Sequence, residues 1–540
     1  MAYIRFTTSG ITGKRLTTRC KRLFALGVSF ALMLSALPSY AASGTLGERT
    51  TELTLGAVSS KTTELYPLDI KERDIGAILN LVYDSLITID DDYVIQPNLA
   101  ESWSVSSNGK TWKFQIKSDV FFSNGQPLTA YDCAATITRI LEMANDETGG
   151  SIGTYSTMKW YITSAAADDD RTLVIKANRP YYGLLYALTF PILPQAQVYD
   201  ASPAGTGPYI VYNFSPGEFL WLNQNDYYWK QKPQIREIMY MFSVNNKEMM
   251  SDYEYSRLDG IATRSIAASQ YQSGKNAFSL SYRTQQLETL VINCRQSSLS
   301  LNSANMRKAI RAAINVDNIA NQVYMKMALR TDTPFPAGTW MYKENEEYGY
   351  NIELANQLLD AEGWLDSNND GFRDKTIDGK LTTLTLRLFY YEEPNNSVRA
   401  EVADIIAAQL AQVGIGTKIQ MYSFANMKEK LKANSFDLAL VAYNMDTVPD
   451  PGFFLLSGNA ENYGRYRSET MSNLVKALRA AVEFDDYRQC LHDIQDYFAQ
   501  DCPFVCLYYR RGMILTRFLF TDARDIREAE LYKGISTWSN

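Results

Sequence analysis

Residues 384–414 read LTLRLFYYEEPNNSVRAEVADIIAAQLAQVG, a strand pattern followed directly by a helix pattern. Leucines alternate with polar residues over 384–388, the period of two that is typical of a half-buried strand. Apolar residues then recur at helical spacing over 398–413, and Gly414 supplies the residue that often ends a helix. The continuous apolar run 438–442 predicts a second, buried strand. The order strand, helix, strand predicts an α/β unit.

The same alternation of strands and helices extends over roughly residues 290–500. Nearer the N-terminus, residues 111–117 alternate as a strand, and Thr129 is placed to cap a helix that begins near Ala130. The chain has 540 residues and no sharp linker, so we expect two or three lobes that are joined by more than one chain crossing.

Residues 1–41 are typical of an export signal. Basic residues precede an apolar stretch from Leu23 to Leu37, and Ser39 and Ala41 favour cleavage after Ala41. An uncleaved anchor is the alternative. Cleavage removes six of the 53 basic residues and none of the 60 acidic ones, so the formal charge falls from −7 to about −13. Such an acidic chain argues against nucleic acid and anionic membranes as partners.

The number of cysteines leaves two interpretations of their role open. An odd number of cysteines remains after the signal, so at least one thiol is unpaired or intermolecular. One interpretation is a single disulfide that involves Cys502 or Cys506. The other is that most of the thiols are small buried apolar groups. The cysteines after the signal are Cys133, Cys294, Cys490, Cys502 and Cys506.

Ten short motifs in a fixed order resemble those of one protein family. Each motif is unspecific alone, whereas ten in this order are specific. The chain resembles the family 5 extracellular solute-binding proteins, the group that contains oligopeptide-, dipeptide- and nickel-binding proteins. The motifs lie at Val82–Leu86, Pro97–Trp103, Asn108–Phe114, Val120–Asp132, Gly205–Tyr209, Asn225–Trp229, Met306–Asn315, Ala355–Trp364, Gln409–Ile415 and Phe436–Pro451.

The resemblance implies an α/β, two-lobe periplasmic-binding-protein clamshell with three domains, of the large type II, cluster C-like kind. Domain I would be discontinuous and comprise residues 42–74, 205–290 and 505–540. Domain II would be the insertion 75–204, and domain III, the second lobe, would be 291–504. The ligand would be enclosed between the lobes, and the closed form would dock on the permease subunits of an ABC importer.

Asp446 is the first candidate for ligand binding. It follows the predicted strand 438–442, at the end where α/β units place ligand groups. The segment Tyr443–Asp446 resembles the family motif W-x-x-D, whose aspartate pairs with the α-ammonium of peptide ligands. Here Tyr443 replaces the tryptophan, and the spacing to Asp450 is one residue longer than usual. The alternative is a loop carboxylate that caps a turn.

The remaining candidates are backbone groups and cleft residues. The backbone from Ala442 to Asn444 is expected to pair with an extended peptide as an added strand. For the side chains at three further positions, ordinary packing is the alternative to ligand contact. The resemblance places Tyr83, Asn293 and Arg465 in the lining of the cleft.

One departure from the family bears on the ligand. Dipeptide-binding members carry an arginine for the ligand's carboxylate before the helix that starts near 398, whereas Glu393 stands near that position here. A free dipeptide carboxylate would lack its bidentate partner. This departure favours longer peptides, or other neutral or cationic solutes, over dipeptides.

No histidine-dependent catalysis is expected. The only histidine, His492, falls with Arg488 and Gln495 on the polar side of the predicted helix 484–498. A Ser-His-Asp or Cys-His nucleophile would have to use this one residue.

No metal or other cofactor is expected either. Residues 366–371 match the start of a calcium loop, but Ile377 stands where a bidentate glutamate is required. Cys502 and Cys506 have no second pair at zinc-finger spacing.

We therefore expect an exported, monomeric binding protein, periplasmic or extracellular, that captures a small, peptide-like ligand for an ABC importer and is not an enzyme. Alternatives are a peptide receptor subunit for a membrane sensor and a binder of a sugar or polyamine. A secreted hydrolase that uses Asp446 and Asp450 as paired carboxylates is a further alternative, which no motif supports.

Overall fold

The computed structural model of the protein describes most of the chain beyond the predicted signal. The signal and its cleavage site at Ala41 lie outside the described residues. In the described ranges, no helix combines the length and apolar character that crossing a membrane requires. The described residues are 51–146, 153–271, 278–344, 349–393, 397–518, 526–532, 534–535 and 538.

The strands divide among one large sheet and three small ones. They are β1 Glu52–Val58, β2 Ile87–Ile89, β3 Ile95–Pro97, β4 Ala100–Val105, β5 Thr111–Ile116, β6 Ile162–Ala167, β7 Thr172–Ala177, β8 Tyr209–Ser215, β9 Phe219–Gln224, β10 Glu237–Ser243, β11 Gly260–Thr263, β12 Phe278–Ile292, β13 Ala328–Arg330, β14 Asp374–Ile377, β15 Lys380–Thr383, β16 Thr385–Tyr391, β17 Gly416–Tyr422, β18 Leu438–Asn444 and β19 Phe504–Thr516.

The helices pack on the faces of these sheets. The α-helices are α1 Arg73–Leu79, α2 Ala130–Ala144, α3 Asn246–Glu254, α4 Ala304–Ala313, α5 Val316–Gln322, α6 Ile352–Ala361, α7 Val398–Ala411, α8 Phe424–Lys432, α9 Gly452–Leu455, α10 Glu469–Leu478 and α11 Phe484–Asp501. Short 3-10 helices lie at Ser156–Trp160, Tyr182–Ala187, Gln195–Gln197, Ile266–Tyr271 and Glu528–Glu530.

The local sequence patterns fold as predicted. The leucines of the 384–388 pattern are fully buried while Thr385 and Arg387 between them are not, which confirms the half-buried strand β16. The predicted strands 111–117 and 438–442 are β5 and β18, and the predicted helix near 398–413 is α7. The N–H of Thr129 donates to Oδ2 of Asp132 at 2.8 Å in a capping box, so α2 begins where the sequence indicated.

The large sheet contains the α/β unit at one end. Its strand order is β17-β16-β18-β12-β19-β11-β1-β10-β9-β8, with β13 added beside β19. Strands β17, β16 and β18 run parallel. The chain passes from β16 through α7 out to β17, and then through α8 back across to β18. The direction of winding therefore reverses between β16 and β18, and open α/β sheets bind ligands outside the carboxyl ends of the strands at such a reversal.

Strands β12 and β19 connect the two halves of the large sheet. Residues 286–292 of β12 pair with β18, while residues 513–516 of β19 pair with β11. The ladder between β12 and β19 shifts register between Arg283 and Leu287. Such an irregularity bends and twists paired strands, so both crossings bend near the middle of the sheet. Two crossing strands agree with the expectation that the lobes are joined more than once.

A separate four-stranded sheet, β4-β5-β7-β6, packs against α2 and falls entirely within the predicted domain II, residues 75–204. The large sheet contains strands from both predicted domains I and III. The predicted domain boundaries themselves remain a prediction.

The polar face predicted for α11 is wrong in part. Gln495 is buried, with Nε2 donating to the carbonyl oxygen of Met341 at 2.7 Å, and Nε2 of His492 lies 3.3 Å from the carbonyl oxygen of Trp340. The segment that contains Met341 and Trp340 covers this side of the helix, a long-range contact that helical periodicity does not reveal. The five cysteines after the signal are free thiols; Cys133, Cys502 and Cys506 are buried, and the other two are half-buried.

Candidate ligand-binding site

Asp446 stands two residues beyond the end of β18, at the reversal of the parallel strands. Its neighbours on both sides contact β12: the N–H of Met445 donates to the carbonyl oxygen of Gln285 at 2.8 Å, and Nε2 of Gln285 donates to Oγ1 of Thr447 at 3.4 Å. The carboxylate of Asp446 accepts a long, 3.4 Å bond from the N–H of Val448, so it also closes a turn. No cation among the described residues pairs with it.

The surroundings of Asp446 are those of a cleft wall. The side chain is exposed to water, yet protein atoms crowd around it. This partial desolvation raises the pKa of Asp446 above its ordinary value; backbone N–H groups of Val448 and Thr447 lower it, and the charge of Asp450 raises it again. A ligand cation that paired with Asp446 would relieve this unfavourable charge.

The backbone of β18 presents an open edge beside Asp446. At the far end of the strand, the N–H of Asn293 donates to the carbonyl oxygen of Asp437 at 3.0 Å. Antiparallel bonds alternate along a strand, so the odd-numbered residues of β18 bond to β12 and the even-numbered residues face the opposite edge. Strand β16 pairs with β18 only at the first two residues of β18. The N–H and C=O groups of Ala442 and Asn444 therefore face the crevice.

Two tyrosines from the predicted domain II form a facing wall. Tyr161 and Tyr181 stack with ring centroids 5.7 Å apart. Burial raises the pKa of Tyr161, and the negative charges of Asp446 and Asp450 raise it further. Asp450 is ion-paired, because Nε of Arg479 donates to it at 2.6 Å and Nη2 at 3.1 Å. Asp446 is thus the unpaired one of the two carboxylates.

Glu393, which follows β16 at the same crevice, belongs to a neutral network. Its Oε1 accepts from Nε of Arg399 at 2.9 Å and from Nη2 of Arg510 at 2.8 Å. Both arginines also contact Glu288, at 2.9 and 2.7 Å. Burial opposes the charge of Glu393, but the two arginines outweigh burial and lower its pKa. The negative charges of the two glutamates balance the positive charges of the two arginines, so this network has no net charge with which to bind a ligand.

Asn293 and Arg465 lie at the opposite end of β18 from Asp446. The amide of Asn293 donates to the carbonyl oxygen of Phe436 at 2.8 Å, and Nη2 of Arg465 donates to that of Lys432 at 2.8 Å. Seven residues of strand separate the two ends, which is roughly 20 Å. The structure therefore does not bring these two predicted residues together with Asp446. Arg465 lines a separate surface cavity of about 270 Å³ with Cys294, Arg295, Asn302, Arg307, Tyr466, Arg467 and Asp501.

The two predicted tyrosines are core residues. The hydroxyl of Tyr83 donates to the carbonyl oxygen of Pro203 at 2.8 Å, and the side chain is buried. Tyr443 is also buried, and its hydroxyl donates to the carbonyl oxygen of Glu461 at 3.0 Å. Both side chains therefore support packing. Of the seven predicted residues, the structure gathers Ala442, Asn444 and Asp446 along one edge.

Sequence reasoning missed the facing wall of the crevice. Tyr181 donates to Asp450 at 3.4 Å across 269 residues of chain. Gln285, which holds the loop on both sides of Asp446, lies in the middle of a strand without any motif. No spacing or composition signal marks these residues, because only the folded chain brings them to Asp446.

The described residues contain no cluster of three or more histidine, cysteine or acidic side chains arranged to hold a metal ion. In the turn that resembles a calcium loop, the carboxylate of Asp366 accepts from the N–H groups of Asp370 and Gly371, each at 3.1 Å. These bonds use the carboxylate to close the turn itself.

Two lobes joined by crossing strands, with open polar groups at the crevice beside them, define a ligand-capturing binding protein of the clamshell class. The match to a family model agrees: the bacterial extracellular solute-binding proteins, family 5, match over residues 94–464. The chain belongs to this family of solute-binding proteins. It is an exported protein that captures a small ligand and works with the membrane subunits of an ABC importer.

Individual relatives are similar along most of the chain. The oligopeptide-binding protein AppA of Bacillus subtilis is 24% identical over 483 residues, which cover 85% of this chain and 86% of AppA. The structure of AppA with a nonapeptide superposes with a TM-score of 0.63 at 20% identity, covering 91% of this chain and 99% of that one. The structure of NikA from Brucella suis with Fe(III)-EDTA superposes with a TM-score of 0.74 at 20% identity, covering 90% and 99%.

Proposed function

We propose that the protein binds a peptide through its ammonium group and backbone, without chemical turnover, and delivers it to an ABC importer. The observation that carries the proposal is the unpaired carboxylate of Asp446 next to the open backbone edge at Ala442 and Asn444. An ammonium group fits the carboxylate, and an extended backbone fits the strand edge.

The pairing of charges supports binding over hydrolysis. Paired-carboxylate hydrolysis requires two carboxyl groups that both reach the substrate, one as the general acid and the other to activate water or to attack as a nucleophile. Asp450 is instead held by two bonds from Arg479, so only Asp446 is available. The relatives support the same choice, since AppA is named as an oligopeptide-binding protein.

Native mass spectrometry tests the proposal. The protein is expressed from Ala42 in a host that can export it, and bound molecules are identified after denaturing extraction. We expect peptides on the wild type and their loss from Asp446→Ala, but not from Asp226→Ala, whose side chain is 87% exposed. A wild type that carries no peptide and binds none from a digest would overturn the proposed function; peptides retained by Asp446→Ala would overturn the role of that residue.

A further inference from the structure

Arg283 of β12 and Arg511 of β19 stand directly opposite each other where the two crossing strands pair. Side chains of such a pair project on the same face with Cβ atoms about 5 Å apart, and like charges there are destabilising. Nη1 of Arg283 and Nε of Arg511 are buried, and neither has a hydrogen-bond partner among the described residues. Burial and the charge of Arg283 lower the pKa of Arg511. Within the described part of the chain, the two guanidinium groups thus form an unmatched pair of positive charges.

Two acids of the described C-terminal segment are already paired. Glu528 contacts Arg73 and Arg264 and accepts from the N–H of Gln285 at 3.0 Å. Glu530 pairs with Arg527 at 2.9 Å.

A second pair of arginines, Arg399 of α7 and Arg510 of β19, shows the contrast. Arg399 and Arg510 are matched one for one by Glu288 and Glu393. Buried cations are normally paired in this way, since an unpaired buried charge is costly. The unmatched pair therefore has the charge and the free donors to bind an anion.

The arginine pair lies within a short ligand's length of Asp446. Gln285 bonds to both residues that flank Asp446, and Arg283 precedes Gln285 by two residues, roughly 7 Å along the strand. The guanidinium of Arg283 comes so close to Gly338 that a Cβ there would lie 3.4 Å from Nη2. Burial raises the pKa of Tyr93, and the charges of Arg527 and Arg283 offset part of this rise, so Arg283 acts on residues from both lobes.

We propose that Arg283 and Arg511 bind the carboxylate of the ligand, so that the protein selects zwitterions with an ammonium at Asp446. The inference rests on the proposed function and names its ligand class. An extended peptide of about three residues spans roughly 10 Å, the order of the distance that the strand covers from Arg283 to the residues beside Asp446. The arginine pair also supplies the carboxylate partner that Glu393 cannot provide.

Chemically blocked peptides test the inference. The full mature chain, stripped of ligand, is mixed with a casein digest of short peptides that is untreated, carboxyl-amidated or N-acetylated, and bound peptides are measured by native mass spectrometry. We expect the wild type to prefer untreated peptides over both blocked forms. Arg511→Gln and Arg283→Gln should lose the preference against amidated peptides by about tenfold or more, the value of a charged hydrogen bond. Asp446→Ala should bind all three preparations more weakly, and at peptide concentrations high enough to restore binding it should lose only the preference against acetylated peptides.

The controls separate the two proposals. Arg257→Gln, whose side chain is 70% exposed, should behave as the wild type. If the wild type binds amidated peptides as well as untreated ones, the arginine pair does not bind the carboxylate, while peptide binding stands. If none of the three preparations binds, peptide binding fails and this inference fails with it.

Thermal unfolding adds a measurement that needs no ligand. Arg511→Gln should raise the melting temperature of the ligand-free protein, because it removes one of two like charges that face each other in a half-buried position. Arg511→Lys, which keeps the charge, should retain part of the preference for free carboxylates. A lower melting temperature of Arg511→Gln would mark a structural arginine and overturn the inference.

Discussion

Asp446 and Asp450 lie in one loop, but their environments give them different tasks. Asp450 is fixed by Arg479 and contacts the hydroxyl of Tyr181 at 3.4 Å. Asp446 has no ion-pair partner among the described residues; desolvation raises its pKa, backbone N–H groups lower it, and the charge of Asp450 raises it again. A carboxylate in this state gains most from a cation that arrives with the ligand.

The charge of Asp446 is expected to cost stability in the ligand-free protein. Because its pKa in the folded state lies above the ordinary value of 3.8, stability falls as the pH rises from that value through the folded pKa. Asp446→Asn should therefore raise the melting temperature at neutral pH, and the difference should vanish in acid. Thermal melts of stripped protein over a pH series measure this effect. A variant that is less stable than the wild type at pH 7 would contradict it.

Glu72 is expected to change the stability with pH in the opposite direction to Asp446. Burial opposes its charge, but hydrogen bonds from Thr62, Ser60 and Ser59 outweigh burial and lower the pKa of Glu72 to about 2. Its contribution to stability is full above the ordinary pKa of 4.5 and is lost as the pH falls towards 2. Glu72→Gln should destabilise the protein by about 2 kcal/mol at pH 7, since several charged bonds are weakened together. Urea unfolding at pH 7 and pH 3 should show the difference shrinking in acid; an unchanged difference would be inconsistent with this role.

At the scale of elements, the two edges of β18 have different roles. Its odd-numbered residues hold it to β12, and its even-numbered residues face the crevice beyond the short pairing with β16. The same seven-residue strand therefore carries a structural ladder on one side and free backbone groups on the other.

A pair of proline variants separates these two edges. Proline removes a backbone N–H. Val441→Pro should strongly destabilise the protein because that N–H belongs to the ladder, whereas Ala442→Pro should melt closer to the wild type and bind peptides about threefold to tenfold more weakly. Thermal melts and binding of the untreated casein digest measure the two effects. Equal peptide binding by Ala442→Pro and the wild type would argue against an added strand.

The network around Glu288 ties β12, β19 and α7 together. Glu288 and Arg399 are each only 3% exposed, and Arg510 contacts Glu288 at 2.7 Å. Removing one charge from a buried, paired set leaves its partners uncompensated. Glu288→Gln should lower the free energy of unfolding by about 3 kcal/mol. Urea unfolding beside Glu401→Gln, an exposed change on α7, provides the comparison; similar midpoints for both variants would refute the expectation.

At the scale of the whole molecule, the predicted domains II and III touch across the cleft. The N–H of Tyr182 donates to the carbonyl oxygen of Ala481 at 2.7 Å, and Nε1 of Trp340 donates to that of Tyr93 at 2.8 Å. The ring of Tyr182 also packs on Tyr487 at 5.4 Å. Such contacts hold the lobes together whether or not they touch the ligand. They therefore affect the fraction of molecules that are in the closed form.

Trp340→Phe should therefore shift the protein towards an open form. The variant keeps an aromatic ring but loses the bond to Tyr93, and all peptides should bind more weakly by the same factor. Small-angle X-ray scattering should report a larger radius of gyration for the ligand-free variant. Trp221→Phe, on β9 in the predicted domain I, is the matched control. A factor that differs from peptide to peptide would instead indicate that Trp340 contacts the ligand.

The sequence by itself determined the local elements, the α/β class and the family. Strand β16, helix α7 and the capped start of α2 were predictable because hydrophobic periodicity and caps act within a few residues. Asp446 and the edge at Ala442–Asn444 were predictable because they follow directly from a buried strand.

Only the tertiary structure decided which groups share the site. It brings Gln285 to Thr447 and Tyr181 to Asp450, in the loop of Asp446, and leaves Asn293 and Arg465 at the other end of β18. It also buries Gln495 under a segment that is distant in sequence. The physical reason is that periodicity fixes the face of an element, whereas charge pairing and burial depend on neighbours that can lie more than two hundred residues away, as Tyr181 lies 269 residues from Asp450.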